Sequence, residues 1–380
     1  MTNKKNWISN QLELKRFPEF KREKLRAWDA ADEYLLNSFP IFDHKNTPKE
    51  QDKVLIFNDA FGAICLNLLK ANPNQKITFI TDSINSKKGL INNANINDID
   101  LKHINIINTL SHLSEVYNYV IIKSPKSIDM LVYMLNKIQP HITRKCQIFI
   151  AGMVKHLPQK IWKILEHNFG ETLTSLTMKK AKIIQLSMTQ NNVLDKFPIT
   201  YKQNNFTIYN HASVFSKNSL DIGTRFLLDN FPPLPEIKNI IDLGCGNGII
   251  GLNLAHKYPN AQITLTDESY MAIASSKLTI DNNLEDNKNI CFKLNNCLDD
   301  FKSNSVDLIV CNPPFHQSQN IGIDIALNMF KQSHKTIKKG GYFVVIANRH
   351  LPYYIHLKRI FSTTKTLCSN QKFNLYLMSK

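Results

Sequence analysis

Short apolar runs bounded by turn residues alternate with longer stretches of helical periodicity along the whole chain. Such alternation predicts strands joined by helical crossovers, an α/β fold on a parallel sheet. The second half shows it most clearly. Residues 239–243 predict a strand ending in a glycine loop, followed by a helix from about Ile249 to His256. A strand at 262–266 ends at Asp267, and another helix begins near Met271. Strands at 290–294 and 306–310 end at Asn295-Asn296 and at Asn312-Pro313-Pro314-Phe315. A helix to about Ile337, a strand at 342–347 after Gly340-Gly341 and a last strand near 373–378 complete the pattern.

The first half repeats this order. Val54–Phe57 precede Asn58-Asp59-Ala60-Phe61-Gly62 as Ile240–Leu243 precede the glycine loop. Pro73-Asn74-Gln75-Lys76-Ile77-Thr78-Phe79 mirrors Pro259-Asn260-Ala261-Gln262-Ile263-Thr264-Leu265 at an offset of 186 residues. Tyr119–Ile122 run into Lys123-Ser124-Pro125-Lys126, where the second half has Cys311-Asn312-Pro313-Pro314. Landmarks matching in one order indicate an internal duplication. Two tandem Rossmann-like domains are therefore expected, 1–195 and 196–380, joined near 190–205 where Gln-Asn-Asn and Phe-Pro interrupt the pattern. The first copy lacks two of the three loop glycines and the Asn-Pro-Pro-Phe tetrad, so it is expected to be degenerate. Its role is then to hold RNA or act as a scaffold, the plainer alternative being a buttress for the second copy.

Composition sharpens the setting. The chain has 380 residues, 43% of them apolar, enough for a core in each half. No uninterrupted apolar stretch reaches the ~18 residues of a membrane span, and the N-terminus leads into charge, so a cytoplasmic protein without a membrane partner is expected. Seven cysteines without metal-ligand spacing argue against a disulfide framework or a zinc site and predict buried thiols. The net charge is +16, with 28 Lys+Arg against 18 Asp+Glu in residues 1–200 and 19 against 13 in the rest. That excess favours a polyanion. An AT-rich genome also inflates lysine, so charge alone does not decide the partner. The basic tip at Lys123 and Lys126 is expected to meet RNA.

Asp242-Leu243-Gly244-Cys245-Gly246-Asn247-Gly248 follows a strand and opens a helix. Glycines let the backbone turn sharply and approach a ligand, and the helix N-terminus suits a carboxylate. The loop is expected to hold S-adenosylmethionine, with Asp242, Gly244, Gly246 and Gly248 around the methionine end. A dinucleotide fingerprint would need glycine at the position of Ile249. Asp267 is expected at the ribose hydroxyls, which either cofactor would present. Asn296 is expected at the adenine amine, with Asn295 close behind. A surface turn is the plainer reading of that pair.

Asn312-Pro313-Pro314-Phe315 closes a strand at the sheet edge where parallel sheets place ligands. An aromatic amine is a weak nucleophile because its lone pair is delocalised into the ring. Two acceptors, the Asn312 side-chain oxygen and the Pro313 carbonyl, can hold its hydrogens and turn the lone pair toward a methyl donor. Prolines stiffen the turn, and Phe315 offers a flat face to a base. His316 is read as a hydrogen-bonding or exposed residue ahead of a general base. The residues by themselves thus point to an amine methyltransferase with a duplicated basic partner domain.

With those motifs the chain resembles class I methyltransferases acting on planar amines. Over its whole length it is similar to the ribosomal RNA guanine-N2 methyltransferases built from duplicated domains, the RsmC/RlmG family. The match runs through Asn210–Ser216, Leu220–Arg225, Val310–His316 and Ala347–Leu351. Leu14–Pro18, Ala27–Leu36, Asn58–Ala63 and Lys179–Lys182 resemble the branch that acts on large-subunit RNA. The resemblance implies two tandem class I methyltransferase domains, the first degenerate, and methyl transfer from S-adenosylmethionine to N2 of one guanine in 23S ribosomal RNA. The RNA is expected in protein-free or early-assembly form, and duplication in one chain favours a monomer. Phe215 and Asp221 then either wall the pocket or serve as core and cap residues. Trp28 is read as packing before RNA stacking. The rivals are the 16S enzyme, a glutamine methyltransferase acting on a release factor, and an inactive RNA-binding assembly factor.

Overall fold

In a computed structural model the chain is described at residues 12–20, 25–38, 50–189, 196–314 and 319–380. It divides into two units, Met1–Lys196 and Phe197–Lys380.

Unit 1 is a seven-stranded sheet. After helix α1 (Ala30–Ser38) come β1 (Lys53–Phe57), α2 (Ala63–Ala71), β2 (Lys76–Thr81), α3 (Ile84–Ile96), β3 (Ile104–Asn108) and β4 (Tyr117–Lys123). Then follow α4 (Ile128–Ile138), β5 (Ile142–Met153), α5 (Lys160–Asn168), β6 (Gly170–Thr174) and β7 (Ala181–Met188). The strand order is β3-β2-β1-β4-β5-β7-β6, with only β7 and β6 pairing antiparallel to their neighbours. Val54–Phe57 are buried, as expected of a central strand with both faces covered.

Unit 2 begins with a hairpin, β8 (Ile199–Gln203) and β9 (Phe206–Asn210). Its main elements are α6 (Ile222–Asp229), β10 (Asn239–Leu243), α7 (Ile249–Lys257), β11 (Gln262–Asp267), α8 (Tyr270–Asp281), β12 (Ile290–Leu294) and β13 (Val306–Cys311). They continue with α9 (Gln319–Thr336), β14 (Ile337–Asn348), α10 (Tyr353–Ile360), β15 (Thr363–Ser369) and β16 (Phe373–Ser379). The order β12-β11-β10-β13-β14-β16-β15 is the same as in unit 1.

The repeat extends to single side chains. Asn97 at the end of α3 accepts from Glu13 N at 2.8 Å and donates to Glu13 O at 2.7 Å. Asn283, 186 residues on, makes the same pair of bonds with Thr207, at the same distances. A carboxamide satisfies both backbone groups of an extended segment, so one residue ties that segment to the helix.

Two expectations change in detail. The helix expected to reach Ile337 ends at Thr336, and β14 starts there because an irregularity lets Val306 pair with Ile337 and Leu308 with Tyr342. Of the seven cysteines four are buried, but Cys291 on β12 is exposed. Trp28 precedes α1, packs on the unit 1 core and donates its indole N–H to Glu33, in keeping with the packing reading. Among the described residues no helix is long and apolar enough to cross a membrane.

Candidate active site

The glycine loop leaves β10 and enters α7 in unit 2. Gly244, Gly246 and Gly248 have φ of 76°, 53° and 81°. At Gly248, the N-cap of α7, a Cβ would also meet Ser276 Cα at 2.9 Å. At Gly246 a Cβ would enter open space, with nothing within 4 Å. That open face is where a ligand can lie against bare backbone.

Two carboxylates hold the loop in shape. Asp267 Oδ2 accepts from Gly246 N at 3.0 Å, and Oδ1 accepts from Ser269 N at 3.0 Å. Asp242 is fully buried under the loop, where its Oδ2 accepts from Gly251 N at 2.8 Å. Its Oδ1 has no partner among the described residues. Burial, with Asp267's charge adding to it, pushes the Asp242 carboxyl up to about 7.

After β12, Asn295 and Asn296 are both buried. Asn296 Nδ2 donates to Asp299 at 2.8 Å. Asn295 bonds Asp267 through its backbone, and neither polar atom of its side chain has a partner among the described residues. Spare bonding capacity therefore sits on Asn295 more than on Asn296.

Asn312 follows the last residue of β13. Its Nδ2 donates to Thr224 Oγ1 at 2.9 Å and to Asp221 Oδ2 at 3.4 Å. Asp221 is the N-cap of α6, where Oδ2 also accepts from Thr224 N at 2.8 Å. Asn312 Oδ1 is buried and has no partner among the described residues. Pro313 is buried and Pro314 exposed. Phe315 and His316 of the expected constellation lie outside the described residues.

Beside this clasp opens a trough of about 560 Å³, lined by Phe215, Asp221, Ile222, Arg349, His350 and Lys372 among others. Phe215 is 59% exposed. Asp221 is thus both cap and pocket wall, whereas Phe215 is wall and not core. The bond from Asn312 to Asp221, and the presence of Thr224, Arg349 and Lys372 at the site, are not visible in the sequence pattern. Thr224 and Arg349 fell inside segments carrying the family resemblance, which was the available signal.

The corresponding groups of unit 1 differ. Phe57 pairs with Ile122 as Leu243 pairs with Cys311, so Lys123, which the sequence pattern sets opposite Cys311, stands one residue on, in the place of Asn312. Lys123 was expected to meet RNA; it is 9% exposed and its Nζ lies 2.7 Å from both Asp29 and Asp32. Burial opposes its charge, but Asp32 and Asp29 outweigh that and hold Lys123 above its ordinary value. The expectation fails because those two acids turn the residue inward; Lys126 is exposed. Asn58 takes the place of Gly244 with φ 64°, and Gly62 that of Gly248 with φ 81°. Asp59 accepts from Ile64 N and Cys65 N, both at 2.9 Å, so a side chain of unit 1 fills its own helix N-terminus.

Known proteins can be set against this geometry. The family model described as RLMG N-terminal domain matches residues 3–190. The one described as Methyltransferase small domain matches residues 205–377. The chain is 39% identical to the Ribosomal RNA large subunit methyltransferase G of Colwellia psychrerythraea over 374 residues, 95% of each chain. It is 38% identical to the protein of the same name from Pseudoalteromonas translucida, covering 95% of this chain and 94% of that one. Its fold is similar to that of the T. thermophilus 16S rRNA N2 methyltransferase RsmC, solved in complex with AdoMet and guanosine. There the TM-score is 0.74 over 97% of this chain and 95% of that one, at 16% identity, a likeness of fold alone.

Proposed function

The chain belongs to the ribosomal RNA large subunit methyltransferase G family, and from that membership and the held amide of Asn312 we propose a ribosomal RNA methyltransferase. It transfers a methyl group from S-adenosylmethionine to the exocyclic N2 amine of a guanine. The finer assignment is guanine 1835 of 23S RNA, met as protein-free or early-assembly RNA by a cytoplasmic monomer.

One observation carries the reading: a buried carboxamide oxygen, on Asn312, with no partner among the described residues, at the carboxyl end of a central strand. The residues fit the cofactor, because Gly246 leaves open space, Asp267 sets a carboxylate against the Gly246 backbone, and the Asn295 carboxamide has no partner among the described residues. When bound, S-adenosylmethionine supplies a methyl group already activated by its sulfonium. Gly244, Gly246 and Gly248 then shape the backbone around its methionine end, with Asp242 beneath them. Asp267 receives the ribose, and Asn295 with Asn296 receives the adenine. Asn312 Oδ1 accepts one hydrogen of the guanine amine and the Pro313 carbonyl the other, which turns the lone pair toward the methyl. Phe315 stacks on the base. Most of the rate then comes from positioning and from excluding water.

Unit 1 is the degenerate copy in this reading. Its charged cluster at Lys123 closes the place where Asn312 works in unit 2, and its exposed lysines, Lys126 among them, hold RNA.

The test is incubation with labelled S-adenosylmethionine and protein-free ribosomal RNA lacking the modification, followed by digestion to nucleosides. Label in N2-methylguanosine of large-subunit RNA is the expected result. Label confined to small-subunit RNA would overturn the assigned RNA, and no label in either RNA or in assembled particles would put the binding-protein reading first.

A further inference from the structure

The Asn312 carboxamide does its proposed work only if its oxygen, and not its amide nitrogen, faces the base. A carboxamide has two faces of nearly equal shape, and a half-turn about its last bond exchanges a donor for an acceptor. In the wrong orientation the amide would meet the hydrogens of the guanine amine with its own hydrogens.

Asp221 and Thr224 remove that freedom. A carboxylate has no proton to give, so the group facing Asp221 Oδ2 must be the amide NH₂ of Asn312. Thr224 Oγ1 receives the amide at 2.9 Å and itself donates to Asp221 Oδ2 at 3.3 Å. The hydroxyl proton is spent on the carboxylate, which leaves its lone pairs for Asn312. Reversing the carboxamide would set its oxygen against a carboxylate oxygen and an acceptor lone pair, and two bonds would become repulsions. The buried Oδ1, without a partner among the described residues, is the other half of this arrangement.

Unit 1 shows that the two helix positions are a device of the fold. Asp29 precedes α1 and accepts from Ala31 N and Asp32 N, as Asp221 caps α6. Asp29 and Asp32 grip Lys123 as Asp221 and Thr224 grip Asn312. With acids at both positions the clasp takes a cation; with one acid and one hydroxyl it takes a neutral amide in one orientation.

We propose that Asp221 and Thr224 are positioning residues that set the direction of the Asn312 carboxamide, and with it the direction of hydrogen bonding to the substrate amine. The proposal rests on the methyltransferase reading for its consequence in catalysis, but the clasp itself can be observed without substrate.

Asp221→Asn keeps the helix cap, since asparagine caps as well as aspartate, but its own amide can face Asn312 either way. It should lower kcat about 10- to 100-fold, with RNA KM and cofactor Kd within about twofold of the parent. Thr224→Val should lose about tenfold in kcat, and Thr224→Ser should restore it. In an Asn312→Ala background neither Asp221→Asn nor Thr224→Val should reduce kcat further, because both act through that amide. In protein carrying isotope-labelled asparagine, the Asn312 side-chain amide protons should exchange slowly with solvent, and faster in Asp221→Asn. Full kcat in Asp221→Asn, additive losses in the Asn312→Ala background, or fast exchange in the parent would each overturn the proposal. Slow exchange in a parent with no activity on any ribosomal RNA would uphold the clasp and sink the methyltransferase reading instead.

Discussion

Lys123 and Asn312 stand at the end of the same strand in two copies of one fold, Lys123 held by the residue before α1 and the third residue of that helix, Asn312 by the N-cap and third residue of α6. In unit 1 the held group is a buried cation gripped by two acids. In unit 2 the held group is an amide, and among the described residues only one of its two ends is used. The exchange of a lysine for an asparagine thus separates a closed end from a site with an acceptor to spare.

Replacing Asn312 by alanine removes that acceptor and leaves the glycine loop untouched. Turnover should fall by about two orders of magnitude or more while cofactor affinity stays nearly intact. Calorimetric titration with S-adenosylmethionine and a steady-state assay check the two halves. Unchanged turnover would remove the tetrad from the mechanism.

Lys123→Met should act on stability. It leaves Asp32 buried beside Asp29 without their cation, and breaking such a cluster costs on the order of 3–5 kcal/mol. Denaturant unfolding should show the loss in the transition of unit 1. A change in RNA affinity with no change in stability would contradict the buried placement.

Lys126→Ala addresses the exposed end of the same loop. If that side chain meets phosphate, the slope of log affinity against log salt should fall by about one. An unaltered slope would make that part of unit 1 a buttress.

Gly246→Ala places a methyl on the open face of the loop in a backbone conformation that L side chains rarely adopt. Strain should cost about 1 kcal/mol of stability, and cofactor affinity should fall by tenfold or more. Binding isotherms that overlay the parent would mean that the cofactor does not lie there.

The pH dependence of stability carries the mark of two buried acids. Burial pushes Asp242 and Asp59 up to about 7 from the usual 3.8, with Asp267 and Asp32 respectively adding to it. The folded state therefore keeps protons that the unfolded chain has lost. The stability this gives is full below about pH 4 and is lost as the pH rises through about 7. Asp242→Asn keeps an acceptor for Gly251 N, and should flatten the fall of stability between those limits. An unchanged slope across that window would count against the raised value.

Much of the architecture was legible in the sequence because its cause is local. β10 and β11 begin and end within a residue of their expected bounds, since a buried parallel strand must be apolar and its ends need turn residues. The exposed strand β15 and the hairpin β8–β9 were not foreseen. Thr363–Ser369 has no buried residue and so no apolar pattern to read. The hairpin is polar along much of its length and is held by Thr279 of α8 and Asn283 just past its end, more than 65 residues away.

The sequence by itself determined the duplication, the loop of left-handed glycines and the acceptor asparagine at the strand end, because periodicity and spacing write these into neighbouring residues. Tertiary structure alone decided what those residues do. Asn312 is oriented by groups 88 and 91 positions away, and Lys123 is turned inward by an acid 94 positions away. A lysine reads as a surface charge until a buried carboxylate is placed beside it, and an asparagine has no direction until its amide is held. Folding supplies both, by bringing a helix N-terminus to the end of a strand.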